Sequence, residues 1–327
     1  MSAVRISAVV PNYNHQKLVP RALEALLNQP DPPDEIIAID DASTDESFAV
    51  MKEFETRSSR LRVIRNERNM GVCATLNRGL GMASHPYIGF FASDDEVLPG
   101  LFAKARPMVE QHPDAGLVTG LVEWRCHSTG MTWYDGHQMP QERRFWTPDD
   151  LVRLGRQGRL ATPGQPAIYH KAALVKAGGW IPELRWFTDC FGTWVVGFRQ
   201  GVGFIPEVMS VFNLYQTSFY NAAKAAERRE VMARFLGLLE SQPYADVLPR
   251  IRASGLLGGF GTPMLRLVAP YPRRWNMVNY GFARRMGRRT AEVVGRTLFP
   301  PWLARTCLRV FYGRKTRPGS TAAGGGS

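Results

Sequence analysis

Two acidic sites, each closing a short apolar run, constrain this chain more than any other feature. Asp40-Asp41 follows the run 35–39 (EIIAI), and Ser93-Asp94-Asp95 follows the run 87–91 (YIGFF). Runs of that length and composition read as strands buried on both faces, as in parallel sheets. Open sheets of that type bind ligands in the crevice outside the carboxyl ends of their strands. Carboxylates placed there suit a divalent cation, and a cation with few protein ligands suits a phosphorylated partner.

The surrounding pattern agrees. A first strand is predicted over 5–10 (RISAVV), ending at Pro11, and a helix over 18–28, where Leu18, Ala22, Leu26 and Val19, Leu23, Leu27 share one face. After the strand at 35–39, Ser43 or Asp45 can cap a helix over 46–56. A third strand is expected at 61–64, a loop at 66–71, a helix at 72–83 and a fourth strand at 87–91. Pro99 suits the first turn of the next helix, and a fifth strand covers 116–124. Strands alternating with helices predict an α/β fold, a mostly parallel sheet flanked by helices. Residues 125–148 break the rhythm and read as a loop or hairpin near the site, with Trp133, Tyr134, His137 and Trp146. A strand ending at Tyr169, a helix from Lys171 ended by Gly178-Gly179, a helix after Thr188-Asp189 and a strand over 203–212 complete the expected catalytic region. The expected division is 1–220, a helical Arg-rich region 221–317, and a flexible low-complexity tail or cloning scar 318–327.

With 44% hydrophobic and 21% charged residues, the 327-residue chain is globular rather than disordered. Cys73, Cys126, Cys190 and Cys307 show no CxxC spacing, which excludes a zinc or disulfide framework and fits a reducing compartment. The first strand begins too early to leave room for a signal peptide, and no run reaches the roughly 18 apolar residues of a membrane span. Charge is uneven. From Arg250 to the end stand 15 Lys and Arg against one acid, Glu292, so the formal net charge of +12 belongs to the C-terminal quarter. That asymmetry points to a polyanion, a membrane surface or nucleic acid.

The motifs, taken in order, resemble family 2 glycosyltransferases of the GT-A (Rossmann-like) fold. They are Pro11-Asn12-Tyr13-Asn14, IDDASTDES at 39–47, FASDDE at 91–96, KAGGWIPELRWFTD at 176–189 and FRQGVGFIPE at 198–207. The resemblance covers residues 4–215 and implies an inverting, metal-dependent transfer of a sugar from a nucleotide-sugar to an acceptor hydroxyl on a glycan or lipid-linked saccharide. UDP is the nucleotide by family habit, with GDP and dTDP as alternatives. The resemblance implies that Asp94 and Asp95 hold Mn²⁺ or Mg²⁺ and the diphosphate, Asp95 as the direct ligand. It implies that Asp41 and Tyr13 hold the nucleotide, with backbone contact from Pro11 and a donor loop shaped by Asn69. It makes Asp189 the base that removes the acceptor's proton. Each residue has a plainer reading. Asp94 and Asp95 could cap the helix near Pro99, Asp41 could make an Asx turn, and Thr188 or Asp189 could cap the helix that follows.

The chain departs from the family at two places. Thr75-Leu76-Asn77 stands where relatives often carry Ala-Arg-Asn, and Leu214-Tyr215-Gln216-Thr217 lacks the His many relatives place there. The six histidines show no metal-binding spacing and read as surface or loop residues, His137 with Trp133 and Trp146 as possible lining of an acceptor site. In the C-terminal region Arg273-Arg274, Arg284-Arg285, Arg288-Arg289, Arg305 and Arg309 alternate with Trp275, Met277, Phe282, Trp302 and Phe311. Aromatic residues beside Arg suit a helix lying in a membrane interface, which predicts a cytoplasmic protein peripheral to an anionic membrane. A basic appendage packed on the catalytic region is the plainer alternative. Two rivals are a degenerate transferase that only binds, through its basic region, membrane or nucleic acid, and a dedicated nucleic-acid binder, for which no motif is present. No GxGxxG follows the first strand, which disfavours a dinucleotide-dependent dehydrogenase.

Overall fold

The computed structural model describes residues 4–215 and 225–298. The chain divides into two compact units, the first ending at Ser254 and the second starting at Gly255. The expected boundary at 220/221 falls earlier.

In the first unit the chain runs β1 (Ile6–Asn12), α1 (Val19–Leu27), β2 (Glu35–Asp40), α2 (Ser47–Glu55), β3 (Leu61–Arg65), α3 (Val72–Met82) and β4 (Tyr87–Phe90). It continues with β5 (Glu96–Val97), α4 (Leu101–Gln111), β6 (Leu117–Cys126), β7 (Met131–Asp135), β8 (Arg144–Trp146), α5 (Pro148–Arg156) and β9 (Ile168–His170). Then come α6 (Lys171–Lys176), a 3-10 segment Pro182–Phe187, α7 (Thr188–Gln200), β10 (Val202–Leu214), α8 (Ala225–Leu239) and α9 (Leu248–Ser254). The strands form one sheet in the order β3-β2-β1-β4-β9-β6-β10-β5, with β7 on β6 and β8 on β10.

β1 through β4 pair in parallel, and so do β6 and β10, while β9 lies antiparallel between β4 and β6. β5 and β8 also lie antiparallel to β10, and β7 to β6, so the sheet is mixed: six of its ten strands, β1–β4, β6 and β10, run one way and the other four run opposite. Ile6, Ala8, Val9 and Val10 of β1 are wholly buried, the pattern of a strand covered on both faces. Gly79 lets α3 lie close on it, since a Cβ there would stand 2.4 Å from Val9 Cγ1.

The topology places the site. From β1 the chain builds outward through β2 and β3, then crosses back to lay β4 on the other side of β1. That reversal opens a crevice at the carboxyl ends of β1, β2 and β4. Because β9 runs opposite to β4, with Gly89 facing Ile168 and Tyr87 facing His170, the turn preceding β9 arrives at the same end.

Local differences from expectation have physical causes. No helix starts at Pro99: Glu96 and Val97 pair with β10, and α4 begins at Leu101 after Gly100 in a left-handed conformation. Residues 117–135 form a β6–β7 hairpin. Helix α8, assigned from sequence to the Arg-rich region, belongs to the first unit because its buried Phe235 meets Phe191 and Trp194 edge-on at 5.1 and 5.5 Å.

The second unit comprises a 3-10 turn Leu256–Phe260, α10 (Thr262–Val268), a second turn Pro272–Met277 and α11 (Tyr280–Leu298). Gly258 is required there, since a Cβ would fall 2.1 Å from the Phe282 carbonyl oxygen. Trp275 and Tyr280 are 60% and 77% exposed. No helix among the described residues is long and apolar enough to cross a membrane. Gln216, Thr217, Trp302, Arg305, Arg309 and Phe311 lie outside the described residues.

Candidate active site

The two aspartates closing β2 have different tasks. Asp40 is fully buried and fastens three strand ends: Oδ1 accepts from Asn12 Nδ2 at 3.1 Å, Oδ2 accepts from Ser43 N at 3.0 Å, and Arg65 Nε lies 3.3 Å away. Asp41 holds the loop before α3. Its Oδ1 accepts from Asn66 Nδ2 at 2.6 Å and Met70 N at 2.9 Å, and its Oδ2 accepts from Gly71 N at 2.8 Å. Asn69 Oδ1 takes the same Gly71 N–H at 3.0 Å, so Asn69 shapes this loop. Asp41 thus spends most of its accepting capacity on backbone and Asn66. Tyr13, 43% exposed, presents its ring at the end of β1. Pro11 faces Ile39 of β2 and lies beyond the last β1–β4 pair, where its missing N–H costs no bond to β4.

Ser93-Asp94-Asp95 stands at the end of β4 beside the carboxyl end of β1, and His15 Nδ1 lies 2.8 Å from Ser93 Oγ. The Asp94 backbone is pinned from two elements, its carbonyl accepting from Arg21 Nη2 at 2.9 Å and Asn213 Nδ2 at 3.1 Å. Its carboxylate takes no hydrogen bond or ion pair among the described residues. Asp95 is 3% exposed; Oδ1 accepts from Asn213 N at 2.8 Å, and Oδ2 is buried with no partner. Burial, and then the Asp94 charge, push its carboxyl well above the usual range, against the Asn213 N–H, Gln165 and Arg21. An unpaired buried acceptor costs about 1–3 kcal/mol and more when charged. Neither carboxylate caps α4, whose N-cap has no side-chain hydrogen bond.

Asp189 lies in the first turn of α7. Thr188 Oγ1 accepts from Ile181 N at 2.7 Å, and Asp189 Oδ1 accepts from Cys190 N at 2.6 Å. No side chain caps α7, which weakens the plainer reading of Thr188 and Asp189. Solvent reaches Asp189, yet the protein around it desolvates the carboxylate and pushes its pKa up to about 6. The Cys190 N–H opposes that rise, and the charge of Asp135, at the end of β7, adds to it.

A turn not singled out in the sequence connects the two acidic centres. At Gly164 a Cβ would lie 3.0 Å from Asp189 Oδ2. Gln165 sits beside Asp95, and its Nε2 is buried without a partner. Asn213 and Arg21 were equally invisible, because their roles come from backbone contacts across the sheet. His127, read as a surface residue, has Nε2 2.8 Å from Asn213 Oδ1 and stacks on Tyr215 at 4.5 Å.

Other candidates lie elsewhere or are engaged. Asn77 clasps Trp180, accepting from its N at 2.9 Å and donating to its carbonyl at 2.7 Å. His137 Nδ1 meets the Tyr134 carbonyl at 2.9 Å, and Trp133 stacks on Trp124 at 5.6 Å. Trp146 is buried and pairs with Val202 at the start of β10, away from the acidic centres. A cavity of about 310 Å³ between Met108, His112, Arg143 and Phe145 contains none of the predicted site residues.

Residues 7–174 match the family described as glycosyl transferase family 2. The chain is 28% identical over 199 residues to the uncharacterized glycosyltransferase YibD of Escherichia coli, covering 58% of this chain and 56% of that protein. It is 36% identical over 115 residues to the glycosyltransferase GlyG of Streptococcus pneumoniae, covering 35% of this chain and 38% of that protein. The chain thus spans about half or less of these relatives' length. Among solved structures it is similar to S. aureus TarS 1–349 in complex with UDP-GlcNAc, at a TM-score of 0.59 and 18% identity, over 90% of this chain and 92% of that one. That likeness supports the GT-A fold.

Proposed function

Because the chain belongs to glycosyl transferase family 2, we propose that it transfers a sugar, with inversion, from a nucleotide-sugar to an acceptor hydroxyl. The observation that carries this reading is the placement of Asp95 and Asp189. One is a buried carboxylate with an unpaired oxygen, the other a solvent-reached carboxylate of raised pKa, and residues 163–165 adjoin both. The first suits a cation with a diphosphate. The second suits a base.

In this reading the nucleotide lies over the ends of β1 and β2, with Tyr13 exposed for stacking and Asp41 holding the loop beneath it. A UDP-sugar is the donor we favour, and TarS was solved with UDP-GlcNAc. Above pH about 6 Asp189 is ionised. It accepts the proton of the acceptor hydroxyl as that oxygen attacks the anomeric carbon. The bond from that carbon to the phosphate oxygen breaks, and the nucleoside diphosphate leaves with the electron pair. A direct displacement inverts the anomeric centre.

The divalent cation implied by the resemblance fits Asp95 Oδ2 and the unengaged Asp94 carboxylate. No group of three or more His, Cys, Asp or Glu able to hold a metal occurs among the described residues. Diphosphate and water oxygens would therefore complete the shell, as is usual for Mg²⁺. When bound, Mn²⁺ or Mg²⁺ neutralises charge on the departing diphosphate.

We assign the second unit a peripheral role at the cytoplasmic face of an anionic membrane, where a lipid-linked acceptor would be presented. Exposed Tyr271, Trp275 and Tyr280 accompany Arg273 and Arg274 there. Burial, with the neighbouring Arg288 and Arg284, lowers the pKa of Arg285 to about 10.

Melting the protein with UDP, GDP, dTDP and their sugars, with and without Mn²⁺, tests the donor reading, because a ligand that binds only the folded state raises its stability. A metal-dependent shift that disappears in Asp95→Ala is expected. Indifference to every nucleotide would leave a degenerate binding protein as the better account.

A further inference from the structure

The hairpin between β6 and β7 closes on the end of β10 at His127, the first residue after β6. His127 donates its backbone N–H to the Leu214 carbonyl at 3.0 Å. Its ring lies flat on Tyr215, with centroids 4.5 Å apart and planes 7° from parallel. Its Nε2 stands 2.8 Å from Asn213 Oδ1. The ring and backbone of one exposed histidine thus grip residues 213, 214 and 215 in succession.

Asn213 in turn touches both acidic residues at the end of β4. It is 1% exposed; its backbone N–H donates to Asp95 Oδ1 at 2.8 Å, and its Nδ2 donates to the Asp94 carbonyl at 3.1 Å. That second bond fixes which way the carboxamide points, because turning it over would set Oδ1 against the Asp94 carbonyl oxygen. Oδ1 therefore faces His127 as an acceptor, and Nε2 must carry a hydrogen to meet it. The same Asp94 carbonyl takes Arg21 Nη2 at 2.9 Å from α1, so Asn213 and His127 supply the β10 side of the grip. The backbone bond and the ring stack already fasten the hairpin to β10. The Nε2 bond goes further, to a buried amide on which the backbone of Asp94 rests.

Divalent cations tolerate little error in the aim of their ligands, Mg²⁺ least of all, and the groups behind the ligands set that aim. We propose that His127 is a positioning residue for the cation and diphosphate site: by donating from Nε2 to Asn213 Oδ1 it locks the carboxamide that holds Asp94, and so sets the aim of the Asp94 and Asp95 carboxylates. In this role His127 touches neither the cation nor the donor. Its effect runs through Asn213, and its loss weakens cation binding rather than proton transfer at Asp189. The inference rests on the nucleotide-sugar reading and adds to it a residue from outside the acidic motif.

The test separates the Nε2 bond from the ring stack. Wild type, His127→Phe and His127→Gln are melted with UDP, GDP and dTDP across a series of Mn²⁺ concentrations. The reading is the Mn²⁺ concentration that gives half of the nucleotide's stabilising shift. His127→Phe keeps a ring on Tyr215 and loses the donor. His127→Gln loses the ring and keeps an N–H donor at similar reach. Each variant removes one contact and so lowers the melting temperature of the unliganded chain, whereas the Mn²⁺ requirement tells them apart. His127→Phe should need about tenfold more Mn²⁺, and His127→Gln should stay within about twofold of wild type. A wild-type requirement in His127→Phe overturns the proposal. So does an equal rise in both variants, which would leave His127 only the task of fastening the hairpin. If His127→Phe does not fold, His127→Leu against His127→Gln makes the same comparison with the ring absent from both, and equal requirements there overturn the proposal. A wild type whose nucleotide shift is absent, or indifferent to Mn²⁺, overturns the cation reading and this inference with it.

Discussion

The two compact units treat charge in opposite ways. Residues 1–254 hold 28 Lys and Arg against 28 Asp and Glu, whereas 13 against one stand from Gly255 onward. In the first unit several acids turn inward: Asp40, Asp41 and Asp95 are each at most 3% exposed at strand ends. In the second, arginines crowd one another and Trp275 and Tyr280 face outward. Buried, hydrogen-bonded carboxylates hold specific partner atoms at fixed points, as Asp40 holds Asn12 and Ser43 and Asp41 holds the loop before α3. Clustered cations with exposed aromatics act on a surface and need no fixed partner geometry. In the function proposed above, the contrast separates the chemistry from the attachment, and each can be disturbed alone.

The sharpest way to break this division is at Phe235, which lies beyond the expected boundary yet packs in the first unit. Phe235→Ala should cost about 3–5 kcal/mol by urea denaturation of the whole chain. A change near zero would return α8 to the basic region. A smaller loss is expected at Asp40, whose removal strands Asn12, Ser43 and the guanidinium of Arg65. Asp40→Ala should lower stability by about 2–3 kcal/mol in the same assay. An unchanged midpoint would show that these strand ends hold without it. The smallest effect belongs to the second unit. Arg273→Gln with Arg274→Gln should weaken co-sedimentation with phosphatidylglycerol vesicles by about 30-fold, at about 1 kcal/mol per basic residue. Nucleotide-induced stabilisation should not move. Equal binding of the variant and the wild type, or binding to neutral phosphatidylcholine vesicles alone, would remove the electrostatic role.

The strands were legible because β1, β2 and β4 are buried on both faces and therefore read as unbroken apolar runs. The acidic pairs stood out because each interrupts such a run at its carboxyl end. The individual duties of Asp40 and Asp41 were not legible, since one residue's shift decides which of them faces Arg65 and which faces the 66–71 loop. Gln165 carried no local signal: its significance comes from β9 running antiparallel to β4, which returns the preceding turn to Asp95. Helix α8 was misplaced because Arg228, Arg229 and Arg234 resemble the basic region in composition, while the contacts of Phe235 depend on partners about forty residues earlier.

The central claim is that Asp189 is the base of a sugar transfer. The most direct test measures release of nucleoside diphosphate from whichever nucleotide-sugar stabilises the protein, with water as acceptor, from pH 5 to 8, in wild type and Asp189→Asn. A carboxyl raised to about 6 is protonated and idle below that pH, so wild-type release should climb through pH about 6 and level off above it. Asp189→Asn should lose about 10²–10⁴-fold in rate, lack that acidic limb and keep the donor's stabilising shift. An Asp189→Asn protein that turns over at the wild-type rate, with the same pH profile, would contradict the account.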